Sequence, residues 1–130
     1  MAETTMSPMR EGVFHVQNLA GIINMRESVI EIAERIGFGI YDQHRIATAV
    51  SELAENAVKY AGAGTVEVHP NEQGIEIVCR DSGSGIIDNG DKSVSHGLGI
   101  GLLGVEHMMD ELSIDTGKDG TCVRIRKWLR

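Results

Sequence analysis

Seven of the sixteen glycines (Gly83, Gly85, Gly90, Gly97, Gly99, Gly101 and Gly104) crowd into 22 consecutive residues of a 130-residue chain. An interior helix glycine costs about 1 kcal/mol relative to alanine, so the four between 97 and 104 make poor sense as packing alone. What they provide is backbone without Cβ atoms, able to turn sharply or to lie close against a ligand. Function is to be sought in this segment. The rest of the composition is ordinary, 42% hydrophobic and 24% charged, enough for one domain with a real core. A net charge of −7, from 12 basic and 19 acidic residues, argues against a protein built to wrap nucleic acid or to lie on anionic lipid. No apolar run approaches the roughly 18 residues of a membrane span. Residues 1–12 have no apolar core of a secretory signal. A cytoplasmic protein that binds neither membrane nor nucleic acid is the expectation.

Cys79 and Cys122 do not make a disulfide scaffold. Each lies in an apolar, strand-like run, where a buried free thiol is expected. The five histidines (His15, His44, His69, His96 and His107) are scattered, without the spacing of a zinc site.

Residues 1–12 show no periodicity and read as a loose tail, leaving 13–130 as the domain. Alternation over 13–18 predicts a short strand. Ile22, Met25, Val29, Ile32, Ala33 and Ile36 recur at three and four, which predicts a helix over 22–36 stopped by Gly37 and Gly39. Asp42 is the expected N-cap of a second helix over about 43–61, closed by Gly62. Helical spacing puts Ile46, Val50, Leu53 and Ala57 on one stripe, with Glu52 and Asn56 side by side along its edge and Glu55 nearly opposite. Strands over 65–69 and 75–80 follow, joined by a turn at 70–74. A third helix over about 100–111 turns Leu102, Val105 and Met109 inward. The chain ends in strands over 112–116 and 121–128, with Lys118, Asp119 and Gly120 between them. Arg124, Arg126, Lys127 and Arg130 alternate with Val123 and Ile125, which reads as the solvated face of an edge strand. Helices and hairpins are segregated rather than alternating, so the pattern predicts an α+β two-layer sandwich with helices packed on one face of a sheet.

Gly99, Gly101 and Gly104 match the dinucleotide fingerprint by spacing, but that motif needs a strand immediately before it, and residues 91–96 (DKSVSH) are not one. No P-loop is present, nor the HRD and DFG motifs of the two-lobed protein kinases. What remains is an order of elements. A helix carries Ser51-Glu52-Leu53-Ala54-Glu55-Asn56-Ala57; after two strands comes Asp81-Ser82-Gly83-Ser84-Gly85-Ile86; then Gly97-Leu98-Gly99-Ile100-Gly101-Leu102, and later Gly120-Thr121.

In this order and spacing the sequence resembles the GHKL ATPase superfamily. Its short length and short lid make it similar to the anti-sigma-factor serine/threonine kinases. Residues 104–114 and 127–130 look like the corresponding ends of the stressosome switch kinases. The resemblance covers roughly 13–130 and implies the Bergerat fold: a mixed, mostly antiparallel sheet backed by helices, with ATP held between the sheet and a lid. It implies Asn56 as the Mg²⁺ ligand, and Mg²⁺ is served by one side-chain oxygen plus phosphates and waters. It implies Glu52 as the catalytic carboxylate that orients or deprotonates an attacking hydroxyl. Asp81 would accept from the adenine amino group, with Gly83, Gly85 and Ile86 bringing the backbone against the base and Thr121 placing a hydroxyl nearby. Gly97, Leu98, Gly99, Ile100, Gly101 and Leu102 would form a helix N-terminus that receives phosphate. Residues 86–96 would be the lid, with Lys92, Ser93, Ser95 and His96 as candidate phosphate contacts.

The function implied by the resemblance is an ATP- and Mg²⁺-dependent protein serine/threonine kinase. Its substrate would be a serine or threonine of a STAS-domain antagonist, and a sigma factor or a PP2C-type phosphatase would be a further partner. Relatives occur as homodimers and as monomers in complexes, so the oligomeric state stays open. Two alternatives share the nucleotide site: an ATP-binding partner switch without phosphotransfer, and a histidine-kinase-type catalytic domain acting in trans.

Overall fold

A computed structural model of the chain describes residues 12–83 and 101–130. Its elements run β1 (Gly12–Val16), α1 (Leu19–Ile36), α2 (Ile40–Ala61), β2 (Gly64–Asn71), β3 (Gly74–Asp81), α3 (Gly101–Met108), β4 (Glu111–Gly117) and β5 (Gly120–Trp128). The strands form one sheet in the order β1-β2-β3-β5-β4. The fold is the expected α+β sandwich, and among the described strands every pairing is antiparallel, with no parallel pair of a mixed sheet. The cause is topological: α3 carries the chain past the place of β5 to the sheet edge, and the tight β4–β5 turn returns it antiparallel to both neighbours.

Local chemistry sets the helix ends. The first strand stops at Val16 rather than 18 because Asn18 is the N-cap of α1, its Oδ1 accepting from the Gly21 amide at 2.9 Å. Gly37 closes α1 in the left-handed conformation, φ 119°, which favours a residue without Cβ. Gly39 then proves to be the N-cap of α2, not a second stop. Asp42, expected as that cap, lies inside the first turn and pairs with Arg45 Nη1 at 2.9 Å, where a carboxylate complements the helix dipole. β2 and β3 extend through Pro70 to a tighter turn than 70–74, in which Asn71 Oδ1 accepts from the Gln73 and Gly74 amides. Proline is tolerated at 70 because β1 pairs only as far as Val68, leaving β2 an edge there. The third helix ends at Met108, before the expected 111, as Asp110 N–H bonds to the Arg126 carbonyl and turns the chain into β4.

Val29 and Ala33 of α1, Ile46, Val50 and Leu53 of α2, and Val105 of α3 pack on one sheet face. They meet Val66, Val68, Ile75, Ile77, Val123 and Ile125 there. Each of the valine, isoleucine and leucine side chains contributes about 1.5–3 kcal/mol by leaving water. The other face is charged. The basic stretch is not an edge strand, since β5 lies between β3 and β4. Arg126 reaches Glu76 and Glu111 at 2.9 Å, and Arg124 Nε lies 3.5 Å from Glu76. The two-residue period sends Lys127 to the opposite, buried side. Among the described residues no helix is long and apolar enough to cross a membrane.

Candidate functional site

The second half of α2 lies against the end of β3, and a cleft opens between them and the first turn of α3. Five residues singled out in the sequence line it: Asn56 from α2, Asp81 and Gly83 at the end of β3, Leu102 from α3, and Thr121 from β5. Leu53, Ala57 and Val123 supply apolar walls and Tyr60 one rim. An apolar slot with a few convergent polar groups is the common form of a small-molecule site.

Asp81 ends β3 directly opposite Thr121 of β5. Its Oδ1 accepts from the Gly83 amide at 2.9 Å. That bond fixes the carboxylate and leaves its second oxygen as an acceptor at the cleft. Thr121 is only 5% exposed, and its Oγ1 lies 2.7 Å from that of Thr116. Thr116 was not singled out in the sequence, although it mirrors Thr121 about the Lys118–Asp119 turn. Once the register of that hairpin is known, the pair is forced.

The glycines here serve protein packing as well. A Cβ at Gly83 would come within 2.7 Å of Ala61 Cβ and 3.1 Å of the Tyr60 carbonyl. The absent side chain therefore allows the chain leaving β3 to approach the last turn of α2 closely. Gly120 has φ 135° and a Cβ there would run into the Asp81 carbonyl, so this glycine also holds the Asp81 backbone. Its position at the end of the Lys118–Asp119 turn was the available signal.

Glu52 lies one helical turn before Asn56, is 7% exposed, and is not among the residues lining the cleft. Asn56 is half-buried with its side chain at the cleft. Glu55 is half-buried, and burial, then the nearby Glu52 charge, raise its pKa above the usual carboxylate value. Two carboxylates therefore sit close together next to Asn56.

Cys79 lines the cleft with its Sγ 3.7 Å from the Leu53 carbonyl. Burial, followed by the Asp81 and Cys122 charges, pushes its thiol up to about 12, which makes it a wall and not a nucleophile. Cys122, also expected to be buried, is half-exposed on the opposite sheet face, 3.7 Å from Arg80 Nη1. Its odd register relative to Val123 puts it there. Gly101 opens α3 with φ 70°. Gly85, Ile86, Gly97, Leu98, Gly99 and Ile100, and the lid candidates Lys92, Ser93, Ser95 and His96, lie outside the described residues.

The donor set can be tested against the cofactors implied by the resemblance. Among the described residues no three His, Cys, Asp or Glu side chains converge to hold a metal ion, so a cage made wholly of protein is absent from this part of the chain. A single amide oxygen at Asn56, beside a slot ending in a carboxylate oxygen, fits a magnesium ion that takes its other ligands from phosphates and water.

Compared with known proteins, residues 16–127 match the histidine kinase-like ATPase domain. The chain is 40% identical over 119 residues to the serine/threonine-protein kinase RsbT of Bacillus subtilis (strain 168), covering 84% of this chain and 90% of that protein. Among solved structures it is similar to the RsbU and RsbW domains of a Mycobacterium tuberculosis protein, with a TM-score of 0.68 and 22% identity over 91% of this chain. It is also similar to the histidine kinase domain of a blue-light activated histidine kinase from Erythrobacter litoralis, with a TM-score of 0.55 and 22% identity over 83% of this chain. This chain spans 32% and 63% of those two solved chains, and the likeness to them is one of fold.

Proposed function

The chain belongs to the family of histidine kinase-like ATPase domains, and from that premise we propose that it transfers the γ-phosphoryl group of Mg²⁺-bound ATP to a serine or threonine of a STAS-domain antagonist protein. It is a serine/threonine-protein kinase by its 40% identity to one over most of both chains. The observation that carries the nucleotide reading is the meeting of Asn56, Asp81, Gly83, Leu102 and Thr121 in one cleft. They come from four elements that only the fold brings together.

On this reading the adenine ring enters between Leu53, Ala57 and Val123. Its amino group donates to the Asp81 oxygen that Gly83 leaves open, and the Thr116–Thr121 hydroxyl pair offers a further contact. Asn56 would hold Mg²⁺, which supplies charge neutralisation to the phosphates. Glu52 takes the proton of the acceptor hydroxyl as its oxygen bonds to the γ-phosphorus and the bond to ADP breaks. Positioning carries most of such a transfer, so the residues that shape the cleft matter as much as the base. A sigma factor or a PP2C-type phosphatase is the further partner in this reading, and the cytoplasm its setting. The 40% identity to RsbT supports a regulatory kinase of this kind.

Glu52→Ala tests the proposal against a switch that binds ATP without transferring phosphate. Removing a general base lowers STAS-protein phosphorylation by about 10²–10⁴-fold, while calorimetry finds ATP affinity largely retained. Phosphorylation that persists unchanged in this variant refutes the role of Glu52. An acid-stable, alkali-labile product identifies phosphoserine or phosphothreonine, whereas an acid-labile one identifies the histidine-kinase alternative.

A further inference from the structure

We propose that Lys127 is a positioning residue for the cleft, anchoring the C-terminal end of α3 so that the first turn of that helix, with Leu102, is held as a cleft wall; this rests on the nucleotide reading above. Lysine is among the residues least often fully buried, and an ammonium leaves water only at high cost unless it is paired. Lys127 is 6% exposed. Its Nζ donates to the Met108 carbonyl at 2.8 Å, and Met108 is the last residue of α3. The same Nζ lies 3.7 Å from Asp42 Oδ1 in the first turn of α2.

One buried cation thus joins three elements. It projects from β5, which is fixed on both sides by β3 and β4. It meets the negative end of one helix dipole and a carboxylate at the start of another helix, and both contacts favour positive charge. The helices it joins form opposite walls of the cleft, with Asn56 on α2 and Leu102 on α3. The described part of the third helix runs Gly101–Met108, and it rests on the core through the fully buried Val105 and the partly buried Leu102 and Met108. Packing alone leaves its last carbonyl without a fixed partner, and Lys127 supplies one at Met108. Without Lys127 that carbonyl would lose this donor, and the helix could tilt on its apolar contacts, moving Leu102 at the other end.

The test is Lys127→Met, which keeps the aliphatic stem and removes the donors. Calorimetry with ATP, well below the unfolding midpoint of each protein, is paired with hydrogen exchange of α3 and of the β3–β5 ladder. The expected result is a dissociation constant for ATP raised about tenfold, as for removal of a buried hydrogen bond coupled to a site. KM for ATP rises with little change in kcat. Amides of α3 exchange faster while those of β3 and β5 do not, and Lys127→Arg, which retains a donor, recovers most of the affinity. A purely structural lysine would lower the melting temperature and leave ATP affinity and α3 exchange unchanged in the folded protein, and that result overturns the inference. If Lys127→Met does not fold, Lys127→Gln is held to the same two readouts. Wild-type protein that binds no ATP would overturn the nucleotide reading and this inference together, whereas normal wild-type binding with an indifferent Lys127 overturns this one alone.

Discussion

Replacing Asp81 by asparagine exchanges one oxygen for an NH₂ group in a side chain of the same shape, so it probes charge and acceptor character with little change in packing. The Gly83 amide already holds Oδ1 at 2.9 Å. An asparagine oriented to keep that bond turns its NH₂ toward the cleft, where a carboxylate oxygen stood. An adenine amino group would then face a donor in place of an acceptor. A hydrogen bond to a charged group contributes about 1.5–3 kcal/mol, and the middle of that range corresponds to about a 40-fold change in affinity. Calorimetric titration should therefore show the dissociation constant for ATP rising roughly 40-fold, with the thermal midpoint almost unchanged. The opposite amide orientation would preserve the adenine contact at the expense of the Gly83 bond. It would appear as lost stability of about 1 kcal/mol with a smaller loss of affinity. Wild-type affinity together with wild-type stability would refute the assignment of Asp81 to the base.

Gly83→Ala places a methyl group 2.7 Å from Ala61 Cβ, and an overpacked contact of this kind costs about 1–3 kcal/mol; urea unfolding measures it, and an unchanged midpoint would mean that β3 and α2 are not so close. At pH near 8, iodoacetamide should modify Cys122 and spare Cys79, whose thiol is pushed up to about 12, until the protein is unfolded; mass spectrometry reads the order, and modification of Cys79 first refutes it. Asp110 tests the linkage of charge to stability. Burial works against its ionised form, but the Trp128 amide at 2.8 Å and Arg130 at 2.7 Å outweigh burial and hold its carboxyl below the usual range. A lowered folded pKa contributes stability that is present above the unfolded value and is lost as pH falls through the folded one. Asp110→Asn should therefore destabilise at pH 7, with the difference from wild type shrinking in acid; a difference in urea midpoint that does not narrow refutes the pairing.

Periodicity sufficed for the helices because α1 and α2 each bury one stripe, and a stripe repeats at three and four whatever it packs against. The stops at Gly37 and Gly62 were legible because both residues adopt positive φ, a local requirement. The start of α2 was not legible. Asp42 is a good cap by composition, yet Gly39 caps the helix without any side-chain bond, since the chain leaving Gly37 enters α2 three residues earlier than propensity favours. The strand runs are visible in the sequence, but the insertion of β5 between β3 and β4 and the burial of Lys127 leave no mark on sequence spacing.

The sequence by itself determined which residue types the candidate site could use and in what order along the chain: a glutamate and an asparagine one turn apart on one helix, an aspartate at a strand end, a glycine-rich segment, and a threonine after a turn. Those are matters of covalent order and short-range period. Tertiary structure alone decided that Asn56, Asp81, Leu102 and Thr121 face one cleft. It decided too that Thr116 orients Thr121, that Gly83 and Gly120 are needed against protein backbone, and that one buried lysine joins α2, α3 and β5. Apart from the Thr116–Thr121 pair, which lies within one hairpin, these are contacts between residues distant in sequence, and all of them exist only once the sheet register and the helix packing are set.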